Sequence, residues 1–183
     1  MARQLPISDI FDAFADDLLA ERSPRPLIII GASKVDELLL EILRSHLLPK
    51  GVKPKEQDEL LEGDAPLGTF SSRIKMCRRL GLVDIRLCAA LDRLRILRNS
   101  SAHHVVFDHA KSPAREHIGE LRNQINGRGS YSLTRKRYFD SSTLNTVEEL
   151  QCLLLTVCVL LEATRAGIER TSGNKKSLRI SRR

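Results

Sequence analysis

The apolar residues Val147, Leu150, Leu154, Val157, Leu161 and Ile168 recur at steps of three and four along the C-terminal third of the chain. At 3.6 residues per turn that alternation keeps one stripe on one side of a helix, the pattern of a helix seated between others. The apolar surface is too wide for an exposed helix, so a segment of roughly 142–169 must be enclosed by further elements. Its most apolar part, Cys152 to Leu161, is about half the roughly 20 residues a membrane span needs. The reading is therefore a buried core helix, with no membrane association expected.

The rest of the sequence supplies helices to enclose it. Ser8-Asp9 is an N-cap signal, and Ile10, Phe14, Leu18 and Leu19 follow at helical spacing before Pro24 and Pro26 interrupt. A second helix is predicted from about 27 to 48, with Val35, Leu38, Leu39, Ile42 and Leu43 on one side, until Pro49, Gly51 and Pro54 end it. Residues 49–66 read as a loop with one helical turn near Asp58 to Glu62. A helix from about Leu67 carries Phe70, Ile74, Cys77 and Leu80 and stops at Gly81. Another, from about Asp84 to Ser101, aligns Leu87, Leu91, Leu94 and Leu97 or Arg98. Ser112-Pro113 predicts a helix over 113–126, and Gly127, Gly129 and Ser130 open a loop reaching about Asp140. The expected fold is all-α, a single helical bundle of five to seven helices with 27–48, 84–101 and 142–169 at its core. The helical body is expected to span 1–171, with 172–183 a basic, disordered tail.

Composition agrees with one helical domain. Of 183 residues 42% are hydrophobic, only 4% are aromatic and none is Trp, which points to an aliphatic, Leu-built core. Cys77, Cys88, Cys152 and Cys158 lie within apolar stretches without metal-ligand spacing, so they read as buried reduced thiols. Charged residues before any apolar run argue against a signal peptide, and a cytoplasmic protein is expected. The net charge of +7 is unevenly placed. Residues 1–63 are acidic and 64–140 basic, while beyond Glu162 seven basic residues face Glu169 alone. An acidic front and a basic middle can complement each other within the fold or between subunits, and the basic middle and tail are candidates for salt-sensitive nucleic-acid contact.

Three stretches together resemble the mannitol operon repressor family: Gly31-Ala-Ser-Lys-Val-Asp-Glu-Leu-Leu39, Pro66-Leu-Gly-Thr-Phe-Ser-Ser-Arg-Ile74 and Arg95-Ile-Leu-Arg-Asn-Ser-Ser-Ala-His103. Their order, their spacing and the Gly81-Leu82 pair carry the resemblance over about residues 25–108. It implies a helical, cytoplasmic, bacterial protein that represses genes of mannitol uptake and oxidation. The chain departs from the family's Arg-Asn-x-Phe-Ala-His pattern by having Ser101 in place of Phe, which predicts looser packing at that helix end. Arg98, Asn99 and His103 also resemble the signature of the HEPN superfamily of helical bundles, many of them dimeric, metal-independent ribonucleases.

Such RNA cleavage pairs a fixed cation for the phosphate, here Arg98, with a group that titrates near neutrality, here His103. Five residues apart, they diverge by about 140° on a straight helix. Catalysis then requires either a helix break at Ser100-Ser101 or assembly across a two-fold dimer. The quieter reading pairs Arg98 with Asp36 or Glu37, and leaves His103 and His104 complementing a helix C-terminus. Asp36, Glu37, Arg95 and Asn99 make up a candidate polar binding site, which would also suit a sensor of a sugar or nucleotide. His103, His104, His109 and His117 have no accompanying ligand spacing, so neither metal nor cofactor is expected. Ser71 and Ser72 read as the start of a helical turn rather than as nucleophiles. Gly81 with Arg86, Arg93 and Arg95 superficially fits a helix-turn-helix, but the second helix is Leu-rich. The expected function is a non-enzymatic bacterial transcriptional repressor, homodimeric and acting through a regulatory protein partner. The alternative is a HEPN-type ribonuclease using Arg98 and His103.

Overall fold

The computed structural model describes residues 9–47, 58–103, 107–139 and 143–175, with side chains described for 11–47, 58–103, 107–139 and 143–168. Among these residues there are seven helices and no strand: α1 Asp9–Ala20, α2 Pro24–His46, α3 Phe70–Arg79, α4 Ile85–His103, α5 Ala114–Ile125, α6 Gly129–Tyr138 and α7 Thr146–Lys175. The all-α bundle expected from the periodicity is what forms.

α2 is the shared centre of the bundle, packing along α7 and also against α3 and α4, while α4 packs against α5. Its buried residues, Leu27, Ile28, Gly31, Ala32, Val35, Leu38, Leu39, Ile42 and Leu43, follow the three-four rhythm of its sequence. Gly31 permits the close crossing with α7: a Cβ there would lie 2.8 Å from Leu154 Cδ1. α7 is enclosed as predicted, with every residue from Leu150 to Val159 buried. By length and composition Thr146–Ile168 could cross a membrane, a longer stretch than Cys152–Leu161. Those buried residues instead make it the core helix of the bundle. The paired carboxamide of Gln151, itself buried in this helix, donates from Nε2 to the carbonyls of Leu18 (3.2 Å), Leu19 (3.0 Å) and Glu21 (2.9 Å). It thereby satisfies the end of α1, whose last carbonyls have no intrahelical partner.

Several boundaries differ from expectation. Pro24 and Pro26 lie in the first turn of α2 rather than ahead of it, where the missing N–H groups have no helical acceptor to serve. The helix expected from Leu67 starts at Phe70, because Thr69 caps it in a reciprocal box with Ser72. α6 occupies residues expected to be loop. It has no apolar stripe, with Thr134 alone fully buried, and is held by partly buried Tyr131 and Tyr138 and by packing on α7. α7 continues as helix past the predicted end at Glu169 to Lys175, and the remainder of the expected tail lies outside the described residues.

The uneven charge is used inside the fold. Arg73 pairs with Asp36 at 2.8 Å and Arg137 with Asp12 at 3.0 Å, joining the basic middle to the acidic front. Arg128 and Asp84 pair at 2.7 Å, and Asp84 also caps α4 by accepting from Leu87 N–H. Arg122 pairs with Glu149, tying α5 to α7.

Candidate polar cleft

α2, the beginning of α3 and α4 surround a cleft of about 370 Å³. α2 contributes Ala32, Ser33 and Asp36; the loop and first turn of α3 contribute Gly68, Thr69, Phe70 and Ser71; α4 contributes Arg95, Arg98 and Asn99. Each of these residues falls in one of the three stretches that carry the family resemblance. Segments far apart in sequence thus converge on one polar site. Of the predicted site residues, Asp36, Arg95, Arg98 and Asn99 meet here, whereas Glu37 and His103 do not line the cleft.

The expected pairing of Arg98 with Asp36 or Glu37 is not the one formed. Glu37 binds Lys34 at 2.8 Å on the surface of α2. Asp36 is taken by Arg73, a residue the sequence reading passed over. Arg73 is 8% exposed and donates through Nη1 to Asp36, through Nε to the Leu67 carbonyl (3.0 Å) and through Nη2 to the Leu61 carbonyl (3.0 Å). Its guanidinium fork clamps the loop before α3 onto α2. The available signal was its position: an Arg three residues after Phe70 and four before Cys77 sits on the inward stripe of α3, where a cation needs built-in partners.

Arg98, freed of Asp36, is exposed and donates to Asn99 Oδ1 at 3.2 Å. Among the described residues it has no carboxylate partner. Arg95 approaches Asp92 at 3.3 Å within its own helix. α4 does not break at Ser100-Ser101; it continues to His103, and the buried Ser101 hydroxyl donates to the Arg98 carbonyl. The helix therefore keeps Arg98 and His103 on diverging faces, and one chain does not bring them together. His104 lies outside the described residues. The first turn of α3 faces the cleft from the other side. Its Ser72 N–H is satisfied by Thr69 Oγ1, in keeping with a capping rather than a nucleophilic role for this serine.

Other chemistry considered from the sequence has different surroundings. Burial raises the thiols of Cys77 and Cys158 to about 12 and that of Cys152 to about 11, and also raises Cys88. None is poised as a thiolate near neutrality. Among the described residues no three His, Cys, Asp or Glu side chains gather in a metal-binding group. On α4, Arg86 donates to the Asn123 carbonyl and Arg93 pairs with Glu120, so α5 occupies two arginines of the supposed recognition helix.

No family model matches the chain, and no curated protein matches it. Solved structures do match. A possible transcriptional regulator, YggD, from Shigella flexneri is 12% identical, with a TM-score of 0.58 over 91% of this chain and 99% of its own. The MtlR–HPr complex from Escherichia coli, in which MtlR is the mannitol operon repressor, gives 18% identity and a TM-score of 0.55 over 88% of this chain and 99% of the matched one. The chain has a mannitol-repressor-like fold.

Proposed function

Taking that fold as the premise, we propose that this chain is a non-enzymatic bacterial transcriptional regulator that acts through a protein partner. The observation that carries the proposal is the likeness, over nearly the whole matched chain, to MtlR in a structure where MtlR is bound to HPr. The engagement of Arg86 and Arg93 by α5 supports regulation through a partner over reading of a DNA groove by α4. The reading includes a cytoplasmic homodimer, a helical body over 1–171 and a basic tail over 172–183 that adds sequence-independent affinity for nucleic acid. In the ribonuclease alternative, Arg98 and His103 would have to come from two copies.

The test is titration of the purified full-length chain with HPr, followed by calorimetry and light scattering, beside an RNA-cleavage assay in chelator. A defined complex without cleavage is the expected result. Failure to bind HPr, together with cleavage abolished by His103→Ala, would replace this reading with the ribonuclease.

A further inference from the structure

The charge accounting of the cleft is unbalanced. Its carboxylate, Asp36, is already paired with buried Arg73, while Arg98 lines the opening with only a neutral amide as its partner among the described residues. Arg95 supplies a second guanidinium, its Nε 3.3 Å from Asp92 and its remaining N–H groups uncommitted among the described residues. Opposite them, the amide N–H groups of Phe70 and Ser71 have no acceptor among the described residues, since the capping box satisfies Ser72 and Arg73 bonds back to the Thr69 carbonyl. The hydroxyls of Ser33 and Ser71 border the same space. Donors therefore converge from three helices on one volume, and Asp36 is the one carboxylate among its lining residues.

We propose that this cleft binds a small organic phosphate, with the phosphoryl group held between Arg98, Arg95 and the first turn of α3. Two forked guanidiniums and two main-chain amides offer more donors than a carboxylate's two oxygens can use, and suit the three terminal oxygens of a phosphate monoester. A volume of about 370 Å³ accommodates a small molecule. A polynucleotide would need a track of cations, whereas Arg73 and, farther along α4, Arg86 and Arg93 are committed to protein acceptors. The site stands independently of the protein-partner reading and would give such a regulator a metabolite input.

The test is calorimetric titration of the full-length chain with glycerol 3-phosphate and inorganic phosphate, using glycerol as the uncharged control. Wild type is compared with Arg98→Ala, Arg98→Lys and Arg115→Ala, the last removing an exposed cation that does not line the cleft. Because Arg98 is exposed and its side chain hydrogen-bonds only Asn99 among the described residues, its variants should keep the wild-type melting temperature. Expected are saturable binding of the phosphates but not glycerol, affinity weakened about tenfold to a hundredfold by Arg98→Ala, a partial loss in Arg98→Lys, and no change in Arg115→Ala. Amide resonances of Ser71 and Asn99 should move on binding. The proposal is overturned by no saturable binding to wild type, by equal affinity in Arg98→Ala, or by an equal loss in Arg115→Ala. Displacement of the ester by single-stranded RNA would reassign the surface to nucleic acid and overturn it as well.

Discussion

Replacing Arg73 by Ala should destabilise the protein more than any other single loss of charge. The residue is 8% exposed and its side chain makes three hydrogen bonds: to Asp36 at 2.8 Å and to the carbonyls of Leu61 and Leu67 at 3.0 Å each. Removing one member of a buried ion pair costs about 3–5 kcal/mol, mostly by stranding the groups left behind. Asp36 is 31% exposed and can rehydrate, which places the expectation at the low end, about 3 kcal/mol. For a domain of this size that corresponds to a fall in Tm of about 6–12 °C. Arg73→Lys should recover little, because an ammonium cannot reproduce a fork that reaches one carboxylate and two carbonyls. Asp36→Asn keeps the carbonyl contacts and an amide oxygen as acceptor but leaves the buried Arg73 cation without a carboxylate, so a loss of about 2 kcal/mol is expected. Urea and thermal unfolding followed by circular dichroism give all three values. An Arg73→Ala protein within about 0.5 kcal/mol of wild type, the range of an ordinary surface substitution, would refute the argument that this cation anchors the loop.

Gln151→Leu removes the donor shared by three carbonyls at the end of α1, so a loss of about 2 kcal/mol is expected, with faster amide exchange concentrated in α1 rather than spread through the bundle. Gly68→Ala places a Cβ 2.1 Å from the Gly63 carbonyl oxygen, a backbone atom; the loop must move, and a lowered Tm is expected without any change in helical content. Arg128, hydrogen-bonded to the Asp84 carboxyl, lowers its pKa from 3.8 to about 2. A depressed folded-state pKa gives stability that is present above the ordinary carboxylate value and lost as pH falls from about 4 toward 2. Arg128→Ala should raise the Asp84 pKa seen by carboxyl NMR and move acid unfolding to higher pH; an unchanged Asp84 titration would contradict that cause. In the native protein iodoacetamide should modify half-buried Cys88 before Cys77, Cys152 or Cys158, as mass spectrometry of labelled peptides would report.

The elements that were legible share one property: their apolar residues repeat at the period of the structure they adopt. α2 and α4 bury the residues that their spacing selects, α7 buries Leu150, Leu154, Val157 and Leu161 of its stripe with Val147 and Ile168 partly buried, and on α4 the buried member of the Leu97/Arg98 pair is Leu97. On α1 the inward side is set by Phe11, Ala15 and Leu18, with Phe14 and Leu19 only partly buried, because neighbouring helices choose among overlapping stripes. α6 carries no such repeat, so only its packing on α7 and ion pairs from its ends identify it. Four predicted polar residues do meet in the cleft, but the pairing among them depends on distances between helices that periodicity does not encode.

By itself the sequence determined that the chain is helical, which faces of its main helices turn inward, and that an aliphatic core is built without tryptophan. Those properties follow from local periodicity and from the cost of leaving apolar stripes in water. Tertiary structure alone decided that Arg73 rather than Arg98 takes Asp36 and that Gln151 closes α1. Each is a matter of which polar groups come within about 3 Å once helices pack, and hydrogen bonds discriminate at that scale.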